Sequence, residues 1–513
     1  MACTTILVGK KASYDGSTII ARNDDSGSGH YMPKKFVVVE PGEQPKIYRS
    51  VLAHLEIPLP EEAMRYTSMP NAVDGEGIWA ASGVNAAHVA MTATETITSN
   101  SRVRGADPLV EYQPAENGNE EIPGGIGEED IVCLVLPYIR SARAGVERLG
   151  NLLETYGTYE MNGIAFQDQD EIWWMETIGG HHWIAKKVPD DVYVVMPNQF
   201  GTDIFDMKDA LTDQNAHMCS KDLAEFIEKN HLDLTIRRST ECKAEDADLP
   251  FGRFINPREI FGSHDDSDHV YNTPRAWFME RYLNPKTYRW DGENADYTPV
   301  SDDIPWSLIP EHKVTMEDVK YVLSSHYQGT TYDPYLPYGD KKMAGAYRSI
   351  GINRTDFMSA IQMRPYGTED SRVIEWVAFA SNAFNVMVPF YANVDTTPEY
   401  LANTTADVST DNFYWSSRMI AAMADASYSK SLFHIERYQE TMLAKGHEVI
   451  NRYDEQIEKE PDAGKRSVLR EQANQEMADI LRKETGNTLS KVLYELSNQM
   501  KNSYARSDRK SVV

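Results

Sequence analysis

At 513 residues with 41% hydrophobic content, the chain is long enough to bury a substantial core, as one large domain or several ordinary ones. Asp and Glu outnumber Lys and Arg by 78 to 51, a formal charge of -27, so a nucleic-acid backbone or an anionic membrane surface is repelled overall. Acidity of this kind serves solubility; it excludes partners and nominates none.

The first residues run directly into a strand-like segment, Thr4-Thr5-Ile6-Leu7-Val8, without the basic start and long apolar stretch of a secretory signal. No later run is long enough to span a bilayer. Four cysteines, at 3, 133, 219 and 242, are too scattered for a disulfide framework and form no Cys-x-x-Cys pair. Reduced thiols and a cytoplasmic location are the expectation.

Asp15-Gly16 is a turn signal that folds Ile6 to Val8 back onto Thr18 to Ala21. With Gly9 facing Thr18, paired positions sum to 27. Cys3 then falls opposite Asp24, with Arg22 and Asp25 close by, unless a bulge shifts the register by one. Further strands are predicted at Phe36 to Glu40, Ile78 to Ala81, His88 to Thr94, Ile164 to Phe166, Ile172 to Glu176, Trp183 to Lys186 and Val192 to Val195. Helices are predicted at Glu128 to Tyr138, ended by Pro137, and at Gly145 to Tyr156, where Val146, Leu149, Leu152 and Leu153 recur at helical spacing. Residues 203–310 are rich in Pro, Asp and Asn and read as a looping insertion. A strand returns at Ser371 to Phe379. Beyond Thr404 the composition turns helical, with a break at Pro461-Asp462-Ala463-Gly464, suggesting a terminal hairpin packed over the sheet or against a partner subunit. The fold class is α+β.

Arginine beside a thiol favours the thiolate, the reactive form of cysteine, and a carboxylate can hold the Arg or orient an amine. On these residues alone, a small buried cysteine beside a structural Arg–Asp pair is the commoner outcome.

Larger blocks carry a resemblance. Ala2-Cys3-Thr4-Thr5-Ile6-Leu7-Val8-Gly9-Lys10, Asp15-Gly16-Ser17-Thr18 and Ala21-Arg22-Asn23-Asp24-Asp25 strongly resemble the dipeptidases of peptidase family C69, which are N-terminal nucleophile hydrolases. Gly179-Gly180-His181-His182-Trp183, Val188-Pro189-Asp190-Asp191, Pro197-Asn198-Gln199-Phe200 and Tyr271-Asn272-Thr273-Pro274-Arg275 are similar to that family too. The resemblance implies an αββα sandwich, two antiparallel sheets between helical layers, over residues 1–403, with the insertion around 203–310 and a helical extension at 404–513 packed on the core.

It also implies a metal-free, cofactor-free cysteine dipeptidase whose partners are dipeptide substrates. Cys3 would attack the scissile carbonyl and form a thioester. Its own α-amine would be the base, since such an amine titrates at about 7.7–8.0, close to working pH. Arg22 would stabilise the thiolate, and Asp25, last in the Arg-x-x-Asp pattern, would hold the amine. Asn85, in Gly83-Val84-Asn85, and Asn198 are the candidate oxyanion donors, and Arg275 matches an arginine that closes the site in relatives. A free amine on Cys3 requires removal of Met1 and cleavage of the Ala2–Cys3 bond, for which attack by the Cys3 thiol is the implied route. Two other readings stay open: an amidase of the bile-salt or penicillin acylase type, acting on acylated amino acids, and a noncatalytic scaffold.

Other clusters carry less. Ser263-His264-Asp265-Asp266-Ser267-Asp268-His269 has metal-binding residue types without a ligand spacing. His181 and His182 are expected on a strand, pointing to opposite faces. Pro123-Gly124-Gly125-Ile126-Gly127 leads into Glu128, Glu129 and Asp130, acids that would repel a phosphate at a helix start. Cys133, Cys219 and Cys242 are read as structural.

Overall fold

The computed structural model describes residues 3–116, 118–236 and 251–501. Met1, Ala2, the Ala2–Cys3 junction and Cys242 therefore lie outside the described residues. The opening hairpin joins the antiparallel strands Thr4–Val8 and Thr18–Asp25, with Thr4 facing Asn23 and Thr5 facing Arg22, the expected sum of 27. Every residue of both strands is buried. The second strand keeps Arg22, Asn23, Asp24 and Asp25 inside as well, so its charged end forms part of a site rather than a surface.

These strands lie inside a seven-stranded antiparallel sheet in the order Ser307–Leu308, Tyr193–Met196, Thr4–Val8, Thr18–Asp25, Thr355–Met363, Val373–Phe379, Val388–Tyr391. A six-stranded antiparallel sheet runs His217–Cys219, Trp183–Lys187, Ile172–Thr177, Asn162–Gln167, Ala90–Thr96, Ser82–Val84. Leu7, Ile20, Val194 and Ile361 from the first sheet share one apolar cluster with Ala165, Ile172 and Trp174 from the second. Burying each large aliphatic side chain there contributes about 1.5–3 kcal/mol.

Helices Glu128–Val135 and Ala142–Tyr156 cluster with the six-stranded sheet through Ile131, Val146 and Leu149 against Ile164, Phe166 and Trp173. The close seat depends on Gly145, where a Cβ would stand 2.3 Å from the Phe166 ring. Helices Phe413–Ala426, Tyr428–Lys459 and Ala463–Ser497 cluster with the seven-stranded sheet, and Asp462 caps the last of them by accepting from Lys465 N–H at 2.9 Å.

Three elements differ from the sequence reading. Ile78 to Ala81 is not a strand, because Trp79 and Ala81 turn into the left-handed region at φ 48° and 56°, and pairing begins at Ser82. Thr355–Met363 is a central strand that the sequence reading did not mark. Helix Thr273–Leu283 crosses the region read as a looping insertion. It is buried over most of its surface, with Arg275 and Glu280 inside beside Trp277, Phe278 and Met279 and only Arg281 and Tyr282 half-buried, so it shows little amphipathic period. Among the described residues no helix is long and apolar enough to cross a membrane.

Candidate active site

The hairpin register places Cys3, Arg22 and Asp24 on one face, because residues directly and diagonally opposed across an antiparallel pair share a side. Cys3 is fully buried. Arg22 Nη2 donates to Cys3 Sγ at 2.8 Å and to Asp24 Oδ1 and Glu128 Oε1 at 2.9 Å each. Glu128 enters from the first position of its helix, just after Gly127. Lys34, also buried, reaches the other Asp24 oxygen at 3.0 Å and the Trp79 carbonyl at 3.1 Å. Burial alone would raise the Asp24 carboxyl, but Lys34 and Arg22 outweigh it and hold the group below its ordinary value.

Cys3, Asp24 and Glu128 bring ligand-type atoms within 4.8 Å of one another, the one such grouping among the described residues. Arg22 Nη2 is within hydrogen-bond distance of all three, so the cation these groups face is a guanidinium, and the donor set does not call for a metal.

A second wall is built around Arg275, whose guanidinium is fully buried. It donates to the Cys3 carbonyl, to Thr4 Oγ1 at 2.6 Å, Asn198 Oδ1 at 2.7 Å, Asn272 Oδ1 at 2.6 Å and the Tyr271 carbonyl at 2.8 Å. The Tyr271 ring lies 5.1–5.9 Å from Arg275, Arg348 and Arg354. Burial would raise the Tyr271 hydroxyl, yet Arg348, Arg354 and Arg275 bring it below its ordinary value. Asp25 follows Asp24 along the strand, and its carboxylate accepts from Arg348 and, at 2.6 Å, from Thr355 Oγ1.

The structure thus joins Cys3 to Arg22 directly, and Asn198 to Cys3 through Arg275. Asp25 adjoins this group but is held by Arg348. Asn85 is committed elsewhere. Its backbone N–H donates to the Val89 carbonyl at 2.9 Å and its amide to the carbonyls of Leu136 and Ile139 at 2.8 and 2.7 Å. Its Oδ1 accepts from Ala87 and Val89 N–H, so this asparagine organises its own turn.

Glu128, Lys34 and Arg348 were not selected from the sequence. What the sequence shows at Glu128 is only a run of three acids opening a helix after Gly127; the structure adds that all three are buried, which points to a site or an ion-pair network. Nearby, Asp130 is pushed up to about 7 by burial and then Glu129, and Glu160 to about 7 by burial and then Glu128.

His181 and His182 correct the strand expectation. They sit in a bend before Trp183, and both Nδ1 atoms meet the Asp107 carboxylate, at 3.0 and 2.7 Å. A Cβ at Gly180 would stand 2.2 Å from the Pro108 carbonyl, so this glycine-histidine block is a clamp on the Asp107 segment. His264 and His269 face different carboxylates, Glu259 at 3.8 Å and Asp302 at 2.8 Å. Cys133 and Cys219 are buried thiols pushed up to about 12 by burial.

The sequence profile of peptidase family C69 matches residues 2–441. The chain is 55% identical to a dipeptidase of Bifidobacterium longum, across 99% of this chain and 100% of the relative. It is 49% identical to a probable dipeptidase A of Streptococcus pyogenes serotype M3, again across 99% and 100%. With dipeptidase A of Lactobacillus helveticus it shares 40% identity over 96% of each chain. A thiol held by a buried arginine at the head of the opening hairpin, and a match over most of the length, lead to one assignment: the chain belongs to peptidase family C69.

Proposed function

We propose that the protein is a cysteine dipeptidase that works through a thioester on Cys3. The observation that carries this reading is the 2.8 Å hydrogen bond from Arg22 to the Cys3 thiol, within the residues that the family profile matches. The names of the relatives supply the substrate class. The two antiparallel sheets with a shared apolar cluster and helices on their outer sides support an αββα N-terminal nucleophile sandwich. Helices Thr273–Leu283 and Met316–Leu323, which share the apolar cluster of the seven-stranded sheet, would supply its outer layer within a domain spanning 1–403, and the helices beyond residue 404 would be an extension packed on it. Buried, unpaired thiols at Cys133 and Cys219 suit the cytoplasm.

In the proposed reaction the free α-amine of a processed Cys3 takes the thiol proton, and Arg22 stabilises the resulting thiolate. The sulfur attacks the scissile carbonyl. Asn198, fixed by Arg275 through Oδ1, turns its amide N–H groups to the oxyanion, where one donor is worth about 3–4 kcal/mol. Asp25, itself fixed by Arg348 and Thr355, orients the amine. The amine returns its proton to the leaving nitrogen as the C–N bond breaks, releasing the C-terminal amino acid. Water then attacks the thioester, the amine accepts its proton, and the S–C bond breaks to free the first residue.

The test is a panel of free dipeptides and N-acylated amino acids, with liberated amino acids quantified for the parent, Cys3→Ser and Cys3→Ala. Equimolar release of both residues from free dipeptides, lost in Cys3→Ala, is the expected result. Full hydrolysis by Cys3→Ala would overturn the thioester mechanism, and preference for acylated amino acids would move the substrate to the amidase class.

A further inference from the structure

Under the dipeptidase reading the substrate carries a free α-amine beside the scissile carbonyl, and a group on the enzyme is needed to recognise it. Asp24 is already matched, by Arg22 on one oxygen and Lys34 on the other. Glu128 is not. It shares Arg22 through Oε1, while its Oε2 is buried with no hydrogen-bond partner. The side chain is fully buried, and one of its carboxylate oxygens lies within 4.8 Å of Cys3 Sγ. A buried carboxylate oxygen without a donor is costly; Glu176, Glu280 and Glu375 have such oxygens too, and Glu128 stands apart from them because its carboxylate lies beside the Cys3 thiol.

The local charge points the same way. Behind Glu128 stands Glu160, whose Oε1 accepts the Glu128 backbone N–H at 2.6 Å. Burial, with Glu128 next, pushes that second carboxyl up to about 7, a sign of a cluster short of positive charge.

Covalent geometry supplies the rest. In an aminoacyl thioester the α-nitrogen is three bonds from the sulfur, which puts it roughly 3–4 Å away from ordinary bond lengths. That distance brings an ammonium within hydrogen-bond reach of a carboxylate lying this close to the thiol. An N-acyl amide in the same place offers one neutral N–H and adds bulk.

We propose that Glu128 is the specificity-determining residue that receives the free α-ammonium of the substrate's N-terminal residue at Oε2, restricting hydrolysis to unblocked N-termini. This inference rests on the dipeptidase reading.

The experiment compares kcat/KM for Ala-Ala and for its des-amino analogue, propionyl-Ala, in the parent enzyme, Glu128→Gln and Glu128→Asp. The parent is measured first. Failure to cleave Ala-Ala, while other amides are cleaved, would overturn the dipeptidase reading and the inference with it. With the parent active, the ratio of the two constants should fall by roughly tenfold to a hundredfold in Glu128→Gln, the worth of a charge-assisted hydrogen bond in a dry site. Glu128→Asp, which keeps the charge but shortens the reach, should fall between. If both substrates lose rate together and the ratio holds in either variant, Glu128 acts only by positioning Arg22, and the inference is wrong.

Discussion

Replacing Arg275 with lysine isolates what its fork-shaped guanidinium contributes. The five acceptors it serves come from Cys3, Thr4, Asn198, Tyr271 and Asn272, all at a fully buried side chain. A lysine ammonium has three donors at one point and cannot span this set. The Thr4 hydroxyl and the two asparagine amides can reorient, but the Cys3 and Tyr271 carbonyls are fixed. Leaving about two buried acceptors unmatched, at about 1–3 kcal/mol each, gives an expected loss of about 2–6 kcal/mol. Equilibrium urea unfolding by near-ultraviolet circular dichroism measures it, and dipeptide hydrolysis should show kcat falling more than KM changes, because Asn198 loses its anchor. A variant within about 1 kcal/mol of the parent with unchanged kcat would refute the view that Arg275 ties the two walls of the site together.

Glu375, on strand Val373–Phe379, is fully buried with neither carboxylate oxygen hydrogen-bonded, and burial pushes it up to about 8. The folded state keeps this proton through a range where the unfolded chain, titrating near 4.3, has lost it. Stability from this group is therefore complete below that range and is lost as pH rises through about 8. At about 1.4 kcal/mol per pKa unit the loss is several kcal/mol. Glu375→Gln should flatten the decline between pH 5 and 8 in paired melting curves; parallel curves would refute it. Gly83→Ala places a Cβ 2.0 Å from the Thr67 carbonyl and should cost about 1–3 kcal/mol or more by the same unfolding assay, whereas a neutral result would mean that strand Ser82–Val84 moves freely away from the short strand Tyr66–Ser68.

Local signals exposed the hairpin but not its surroundings. Asp15-Gly16 with flanking aliphatics sets a register, and the register alone places Cys3, Arg22 and Asp24 together. Glu128 reaches them from more than a hundred residues away, and Lys34 reaches Asp24 through a loop, contacts that no local period encodes. Thr355–Met363 escaped because both its faces are buried and its Ser359, Ala360 and Gln362 weaken any alternation. Ile78 to Ala81 has the composition of a strand, but two left-handed residues bend it, a tertiary requirement overriding propensity. Asn85 shows the opposite limit: a sequence motif suggested chemistry, and its hydrogen bonds organise a turn.

The central claim is that one residue supplies both nucleophile and base, which requires Cys3 to carry a free amine. N-terminal sequencing of purified, fully active protein tests it most directly. A start at Cys3 is the expected result. A start at Met1 or Ala2 in fully active material would contradict it, since Cys3 nitrogen would then be a peptide amide with no proton-accepting capacity.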